Sequence, residues 1–469
     1  MTYPIGNATS MENVHPALHN AYVDVKAHFA GVGNGTTDDT AAIQAAINSV
    51  PTTGSAGVPG TKVYLPPGTY RVTSTLNIHQ KSLIVSGAGV GNPTNYSTPG
   101  NQTTLMWDGA AAGTMFNVRD SKWVTFEDIL FQGNSTNVPA ELIYFQNAGG
   151  SIGTNAQLFV NRCHFGRFTW TNPSTSGTAA TVGIRFGGTN ANNDQFHFAD
   201  VVFEGCATGV KIDNSQSVWG LISNALFDGS TTAGITTSAE VELHNATFNA
   251  CALDLDINST ARVTVRGYYS EGATQCAELS GQGWLGVFGG QIINHAGMTT
   301  NTIDHQSCGT TTGGLLLVGL RMAQAGLTHR KVKVRGVGTG GGTRGTVTVI
   351  DCQGWDFADL DIANVAGGDV IDVTIVSNGM SLYRTLAASA TLSTGGWEFS
   401  SGSVVVGGGA ALATDATDGF LYIPTCAGTP TGAPTAKTGS CAMVFDTTNN
   451  KLYIFDGNWK GATTPGTWV

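Results

Sequence analysis

A strand signature that recurs about every 22 residues constrains the fold of this chain more than any other feature. An apolar strand is followed by Asp or Asn, by two further residues, and by an apolar anchor, as in Asp200-Val-Val-Phe203. The anchors, three of them in weaker copies, are Phe131, Phe165, Phe203, Phe227, Phe248, Ser270 and Ile292. From Phe203 to Ile292 consecutive anchors are 24, 21, 22 and 22 residues apart. A β-rich repeat of this length is typical of one coil of a parallel β-helix.

The repeat therefore predicts an all-β solenoid whose coils stack about 4.8 Å apart. The Asp or Asn before each anchor fits a turn, where its side chain can bond backbone. One helix is predicted over residues 37–50, because Ile43, Ala46 and Ile47 recur at helical spacing after a run of Thr and Asp. We expect this N-terminal helix to cover the open edge of the first coil.

Composition and charge exclude several other classes of protein. The chain has 469 residues, 64 of them Gly, and only 12% are charged, which argues against disorder and against coiled coils. A net charge of −10 disfavours binding to nucleic acid. No apolar stretch suits membrane insertion, and the N-terminus lacks the pattern of a signal peptide. The eight cysteines include no C-x-x-C, and we expect no metal and no cofactor.

The N-terminal region of the repeat domain carries a family resemblance. Segments Val23–Phe29, Gly33–Ile47 and Val63–Tyr70 resemble the N-terminal cap of the pectate-lyase-like superfamily, which includes polygalacturonase-like enzymes and bacteriophage tailspike depolymerases. The resemblance implies a right-handed parallel β-helix. It also implies a homotrimer in a virion tail, with a bacterial polysaccharide as substrate and a phage tail or baseplate protein as a candidate partner.

The domain organisation follows from the repeats and from a change in composition near residue 380. We expect an N-terminal arm over 1–21, the β-helix with its cap over 22–380, a connector over 381–410, and a C-terminal β module over 411–469. The module is similar to C-terminal parts of phage tail proteins, which implies trimerisation, attachment or glycan binding. Alternating apolar residues around Asn449 and Asn450 predict a hairpin there.

Aligning the repeats on their anchors predicts a polysaccharide-binding surface. Positions 4, 6 and 8 residues before each anchor point outward by strand alternation. Candidate substrate-binding residues there are Trp219, Trp284, His197, His244, Arg262 and Arg266, and candidate catalytic carboxylates are Glu240 and Glu242. Aromatic faces can stack on sugars, and guanidinium groups can hold acidic ones. The alternative is that Glu240–Arg262 and Glu242–Arg266 are ion pairs between coils, or that a sister chain covers the surface.

A second set of carboxylates follows the anchors directly. Glu204 and Asp228 are expected one coil apart, roughly 5 Å, and Asp228 and Glu271 two coils apart, roughly 9–10 Å. Glycoside hydrolases use two carboxylates, about 5 Å apart for retention and about 6.5–9.5 Å for inversion. Crowding of Glu204 against Asp228 would raise one pKa, which suits a general acid. The alternative is a solvated column of turn residues without a catalytic task.

These observations predict a tailspike-like glycoside hydrolase that binds and cleaves a bacterial surface polysaccharide. Two alternatives stay open. One is a non-catalytic fibre, in which the acids are neutralised or buried between subunits. The other is a polysaccharide lyase, which would show calcium dependence and an unsaturated product that absorbs in the ultraviolet.

Overall fold

The computed structural model of the chain describes most of the predicted repeat domain and part of the C-terminal module. The described residues are 22–52, 61–90, 101–133, 136–147, 154–166, 179–188, 192–258, 261–280, 282–293, 301–306, 308, 313–322, 332–335, 344–353, 360–363, 370–376, 425–432, 442–455 and 458–461. The chain divides into two compact units, Met1–Ser393 and Thr394–Val469. This division falls inside the expected connector, which lies outside the described residues, as does the N-terminal arm over 1–21.

The first unit consists almost entirely of short strands. In chain order the first strands are β1 (Tyr22–Asp24), β2 (Asn34–Asp38), β3 (Thr61–Tyr64), β4 (Gly68–Val72), β5 (Leu76–His79), β6 (Leu83–Ser86), β7 (Thr103–Trp107), β8 (Thr114–Arg119), β9 (Lys122–Glu127), β10 (Leu130–Gln132), β11 (Glu141–Asn147), β12 (Thr154–Asn161), β13 (His164–Gly166), β14 (Val182–Gly188) and β15 (Asn192–Ala199). The next are β16 (Val202–Glu204), β17 (Thr208–Ile212), β18 (Gly220–Ser223), β19 (Leu226–Asp228), β20 (Ala233–Thr237), β21 (Val241–Asn249), β22 (Leu253–Asn258), β23 (Arg262–Glu271), β24 (Gln275–Ser280), β25 (Trp284–Ile293), β26 (Ile303–His305), β27 (Gly314–Met322), β28 (Val332–Arg335), β29 (Arg344–Ile350), β30 (Leu360–Ala363) and β31 (Val370–Val376).

These strands form three parallel faces, so the predicted parallel β-helix is confirmed. The first face contains β1, β3, β6, β9, β12, β15, β18, β29, β31 and the first parts of β21, β23, β25 and β27. The second face contains β2, β4, β7, β10, β13, β16, β19 and the second parts of β21, β23, β25 and β27. The third face is an 11-stranded sheet from β5 to β30.

A left-handed backbone residue separates the first face from the second in each coil that carries an anchor, Met322 being an eighth anchor. The residues three before these anchors have φ between 51° and 74°, and they are Asp128, Arg162, Asp200, Asn224, Asn245, Gly267, Gly289 and Gly319. Asp, Asn and Gly tolerate this conformation better than most residues, so the predicted turn position is confirmed. Turn side chains also bond the turn side chain of the coil before: the amide of Asn224 donates to Asp200 at 3.1 Å, and that of Asn245 donates to Asn224 at 3.2 Å.

The anchors form a ladder of aromatic rings inside the solenoid. The five stacked rings belong to Phe131, Phe165, Phe203, Phe227 and Phe248, with centroids 4.7, 4.9, 5.0 and 4.9 Å apart. All five side chains are fully buried. Stacked rings at this spacing match the strand spacing, so the ladder holds consecutive coils in register.

The N-terminal region differs in detail from its sequence pattern. Strand β1 ends at Asp24, whose carboxylate accepts hydrogen bonds from the backbone of Lys26 and Ala27 and thereby begins the short helix α1 (Val25–Phe29). Helix α2 (Thr40–Ser49) begins three residues later than expected, because residues 37 and 38 belong to β2.

Helix α2 lies against the first strand of the third face. It buries Ile43, Ala46 and Ile47 in the hydrophobic core. The side-chain amide of Gln44 donates to the carbonyl of Asn77 in β5 at 3.0 Å and accepts from its N–H at 2.7 Å. Gln44 therefore satisfies edge groups of β5 as a neighbouring strand would.

The described part of the second unit is a small four-stranded sheet. Its strands are β32 (Thr425–Cys426), β33 (Ala442–Asp446), β34 (Lys451–Phe455) and β35 (Trp459–Gly461). Strands β33 and β34 pair antiparallel, with Asp446 opposite Lys451, so the predicted hairpin is confirmed. Asp446 accepts hydrogen bonds from the backbone of Thr448 and Asn449 and fixes the turn.

Candidate functional site

Strand pairing brings the predicted outward residues into continuous columns. Six positions before the anchor, His197, Leu221, Glu242 and Thr264 are direct partners on successive coils. Four positions before the anchor, the partners are Ser223, His244, Arg266 and Phe288. The alignment of repeats therefore predicted the register correctly over these coils.

The residues directly after the anchors form a second column, here called the acid column: Glu204, Asp228, Asn249 and Glu271. Each is the register partner of the next on the second face. Glu204 and Asp228 lie on adjacent coils, about 4.8 Å apart along the axis by strand spacing. No Lys or Arg in the described part of the chain makes an ion pair with either of them.

Asp228 has the environment of a general acid. Burial raises its pKa, the hydrogen bond from Asn249 opposes this, and the charge of Glu204 adds to the rise. The Asn249 amide donates to Oδ1 at 2.8 Å, which leaves Oδ2 for other partners. Among the described residues, nothing lies within 4 Å of a Cβ placed on the neighbouring Gly229.

Glu204 is paired with a histidine of the preceding coil. Nε2 of His164 lies 3.1 Å from Oε2 of Glu204, and the imidazole is almost fully buried. A Cβ on Gly166 would lie only 2.8 Å from the same Nε2. Glycine at position 166 therefore gives the ring the space to reach across to the next coil.

Glu271 belongs to the same column but lies two coils from Asp228. Asn249 lies between them, with its amide directed to Asp228. The hydroxyl of Tyr269 donates to Glu271 at 2.9 Å. Glu204 is therefore the nearer carboxylate partner of Asp228.

The carboxylates of the first face have a different environment. Oε1 of Glu242 lies 2.9 Å from Nε2 of His244 and 2.9 Å from Nε of Arg266. These contacts, the one with His244 first, hold the pKa of Glu242 below its ordinary value. Glu242 is thus an ion-paired surface group, as the alternative interpretation of the sequence anticipated. Glu240 is exposed.

The predicted aromatic platform of the first face is partly covered. The indole of Trp284 lies over Gly286, where a Cβ would come within 2.3 Å of it, and the guanidinium of Arg262 lies 5.3 Å from its centroid. Arg266 lies over Phe288 at 5.0 Å. By contrast, 67% of Trp219 is exposed.

The remaining candidate on this face is His197. Its Nε2 lies 3.2 Å from the hydroxyl of Ser223.

Some residues near these sites were missed by the sequence alignment. His164 and Asn249 contact the acid pair. Asn249 directly follows an anchor and stands in the acid column, whereas His164 directly precedes an anchor and lies outside the aligned positions. A third acidic column, on the third face, consists of Asp256, Glu278 and Asp304. Burial raises the pKa of Glu278, and the charges of its two neighbours add to this. Asp256 and Glu278 are 22 residues apart, so extending the alignment beyond the anchor would have found them.

Metal sites and membrane-spanning helices are two further features that bear on function. Among the described residues no group of three or more His, Cys, Asp or Glu side chains is arranged to hold a metal ion. None of the helices in this part of the chain has the length and apolar character needed to cross a bilayer.

Known proteins resemble this chain at the level of sequence. The family described as rhamnogalacturonase A/epimerase, pectate lyase-like, matches residues 22–278, which is just over half of the chain. Alginate lyase 7 of Azotobacter vinelandii is 31% identical over 144 residues. That match covers 29% of this chain and only 16% of the relative, so the chain spans a small part of that protein's length.

Solved structures resemble the chain more distantly. The A-module of the Azotobacter vinelandii mannuronan C-5 epimerase AlgE4 is 18% identical, with 78% of this chain and all of the module covered at a TM-score of 0.38. The Dettilon tailspike protein is 13% identical, with 76% of this chain and 69% of the tailspike covered at a TM-score of 0.40. The match of residues 22–278 shows that the chain belongs to the rhamnogalacturonase A/epimerase family of pectate lyase-like proteins.

Proposed function

We propose that this protein binds a polysaccharide on the second face and hydrolyses it with Asp228 and Glu204. The observation that carries the proposal is the direct register of the two carboxylates on adjacent coils. Their one-coil separation fits the spacing of about 5 Å used by retaining glycoside hydrolases.

The environments of the two acids suggest separate roles. Asp228, whose pKa is raised by burial, is the general acid that protonates the leaving glycosidic oxygen. Glu204 is the nucleophile that attacks the anomeric carbon and forms a glycosyl-enzyme ester. Asp228, now ionised, then takes a proton from the water that hydrolyses this ester. His164 holds the Glu204 carboxylate in place from the neighbouring coil.

We place this activity in a phage tail, where the substrate is a bacterial surface polysaccharide. The resemblance of residues 22–75 to the caps of tailspike depolymerases, and of residues 411–469 to phage tail modules, supports this setting. A homotrimer attached through a tail or baseplate protein belongs to the same proposal.

Two other functions have specific support. The likeness to alginate lyase 7 favours cleavage by elimination, which would give a product absorbing in the ultraviolet. The ion pairing of Glu242 with Arg266 favours a non-catalytic glycan-binding fibre, in which acids serve only the structure of the first face.

The test is release of reducing ends from a panel of bacterial capsules and exopolysaccharides. We expect Asp228→Asn and Glu204→Gln each to lower the rate about 100-fold or more, because each removes a group acting directly in bond cleavage. Glu242→Gln is the matched control, and its rate should stay within a few-fold of wild type.

The outcomes separate the candidates. Loss of activity only in Glu242→Gln would move catalysis to the first face. An unsaturated product would indicate a lyase, and binding without cleavage of any glycan would indicate a fibre.

A further inference from the structure

We infer that a corner of the solenoid, formed by Trp123, Gln157, Gln195 and Trp219 and here called the tryptophan corner, is a second glycan-binding site that takes uncharged sugars. This inference rests on the proposed function in one respect, namely that the ligand is a polysaccharide. It lies apart from the acid column, because β18, the turn at Asn224 and β19 separate Trp219 from Asp228.

The backbone of this corner projects both indoles from the surface. All four residues have left-handed backbone conformations, with φ between 56° and 58°. Trp123 is 50% exposed and Trp219 is 67% exposed. A bulky residue rarely adopts this conformation, so two tryptophans at the same corner are unexpected for a purely structural turn.

The chemistry between the indoles suits a carbohydrate. Strands β9, β12, β15 and β18 pair in succession, so Trp123 and Trp219 lie three coils apart, about 14 Å by strand spacing. The two intervening coils carry Gln157, which is partly buried, and Gln195, which is exposed. Amides can bond sugar hydroxyls, and indoles can stack on sugar rings.

The indole of Trp123 is held ready for such stacking. Its ring lies parallel to that of Phe159 within 21°, at a centroid distance of 6.4 Å. Phe159 therefore supports one face of Trp123. A ligand that binds the exposed side meets an aromatic ring with little freedom left to lose.

The charge around the corner favours a neutral ligand. Lys122 beside Trp123 carries a positive charge, whereas Asp194 beside Gln195 and Glu240 on the coil after Trp219 carry carboxylates. The four corner residues themselves are uncharged. A polyuronate would be attracted at one end of the corner and repelled along the rest of it, whereas a neutral chain meets no such repulsion.

A glycan also fits this surface better than a second copy of the chain. In the described part of the first unit the exposed large apolar side chains are Val32, Trp123 and Trp219. A stable subunit interface buries roughly 800 Å² on each partner with an apolar centre. Two separate indoles with amides between them provide stacking positions but no continuous apolar patch.

The test measures binding of the full-length Asp228→Asn protein, which leaves the polymer uncleaved, to immobilised neutral bacterial exopolysaccharides and to polyuronates. We expect Trp123→Ala and Trp219→Ala each to weaken binding of a neutral polymer about tenfold. Val32→Ala, which removes an exposed apolar side chain elsewhere, should leave binding unchanged.

A second readout uses the cleaving protein. On a long polymer the tryptophan variants should raise KM and leave kcat near wild type, because the corner binds substrate remote from the cleaved bond.

Several outcomes would overturn the inference. Unchanged affinity in the Trp123→Ala/Trp219→Ala double variant would do so, as would binding of polyuronates only. A smaller particle in sedimentation velocity for the same variant would identify the corner as a subunit interface instead. If the protein cleaves no polysaccharide, the binding measurement on the Asp228→Asn protein still tests the tryptophan corner. The two proposals are therefore tested separately.

Discussion

At the scale of single residues, Asp254 is a carboxylic acid inside the solenoid that has no counter-charge among the described residues. Asp254 is fully buried at the point where the phenylalanine ladder ends. The hydroxyls of Tyr268 and Ser270 both donate to its Oδ2 at 2.6 Å. Burial raises the pKa of Asp254 to about 7, although both hydrogen bonds oppose the rise.

This residue predicts a pH dependence of stability. The pKa of this carboxyl is higher in the folded protein than its ordinary value of 3.8. Below about pH 4 the group is protonated in both the folded and the unfolded state, so its ionisation does not affect the free energy of unfolding. The free energy of unfolding then falls as pH rises from about 4 to about 7, by roughly 4 kcal/mol for this group. We expect Asp254→Asn to flatten the decline of the thermal unfolding midpoint between pH 5 and pH 8.

Asp256→Asn is the matched control, since that residue lies on the same strand and is only partly buried. Parallel pH profiles for Asp254→Asn and wild type would contradict the assignment.

At the scale of elements, the phenylalanine ladder and the third face fit each other. A Cβ on Gly183 of β14 would lie 2.7 Å from the ring of Phe203, and one on Gly209 of β17 would lie 2.6 Å from the ring of Phe227. Glycine at these two positions of the third face therefore leaves the space that the rings of Phe203 and Phe227 occupy. The ladder needs small residues opposite large ones on the same coil.

Removing a ring from the middle of the ladder should destabilise several coils. We expect Phe203→Ala to lower the free energy of unfolding by about 3–5 kcal/mol, through lost burial and a cavity between Phe165 and Phe227. Urea denaturation followed by circular dichroism measures this. Phe159→Ala, on the outer surface of the first face, should cost much less, and equal costs would contradict a structural role for the ladder.

At the scale of the whole molecule, charge discriminates between classes of polysaccharide. The net charge of −10 repels polyanions. We expect affinity for a polyuronate to rise with added salt, as the Debye length falls from about 30 Å at 0.01 M to about 3 Å at 1 M. Affinity for a neutral polysaccharide should stay constant in the same titration. Weaker polyuronate binding at high salt would instead indicate a local cationic site, for which the exposed Arg262 is the first candidate.

The solenoid, the register of its coils and the hairpin of the second unit all follow from the amino-acid sequence. Each coil repeats one pattern, so the stacking of Phe203, Phe227 and Phe248 follows from their spacing along the chain. The same period placed Glu204 beside Asp228. The repeat period is enough to predict these contacts, because each coil of a parallel β-helix contacts only its neighbouring coils.

Which of the aligned residues are available for chemistry depends on how their side chains pack in three dimensions. Alignment shows that Glu242 and Asp228 both face outward, but not that Arg266 pairs with Glu242 while Asn249 and burial act on Asp228. Nor does it show that Arg262 covers Trp284 while Trp219 stays exposed. Side-chain rotamers and desolvation set these differences, and both depend on all the neighbours of a residue in space.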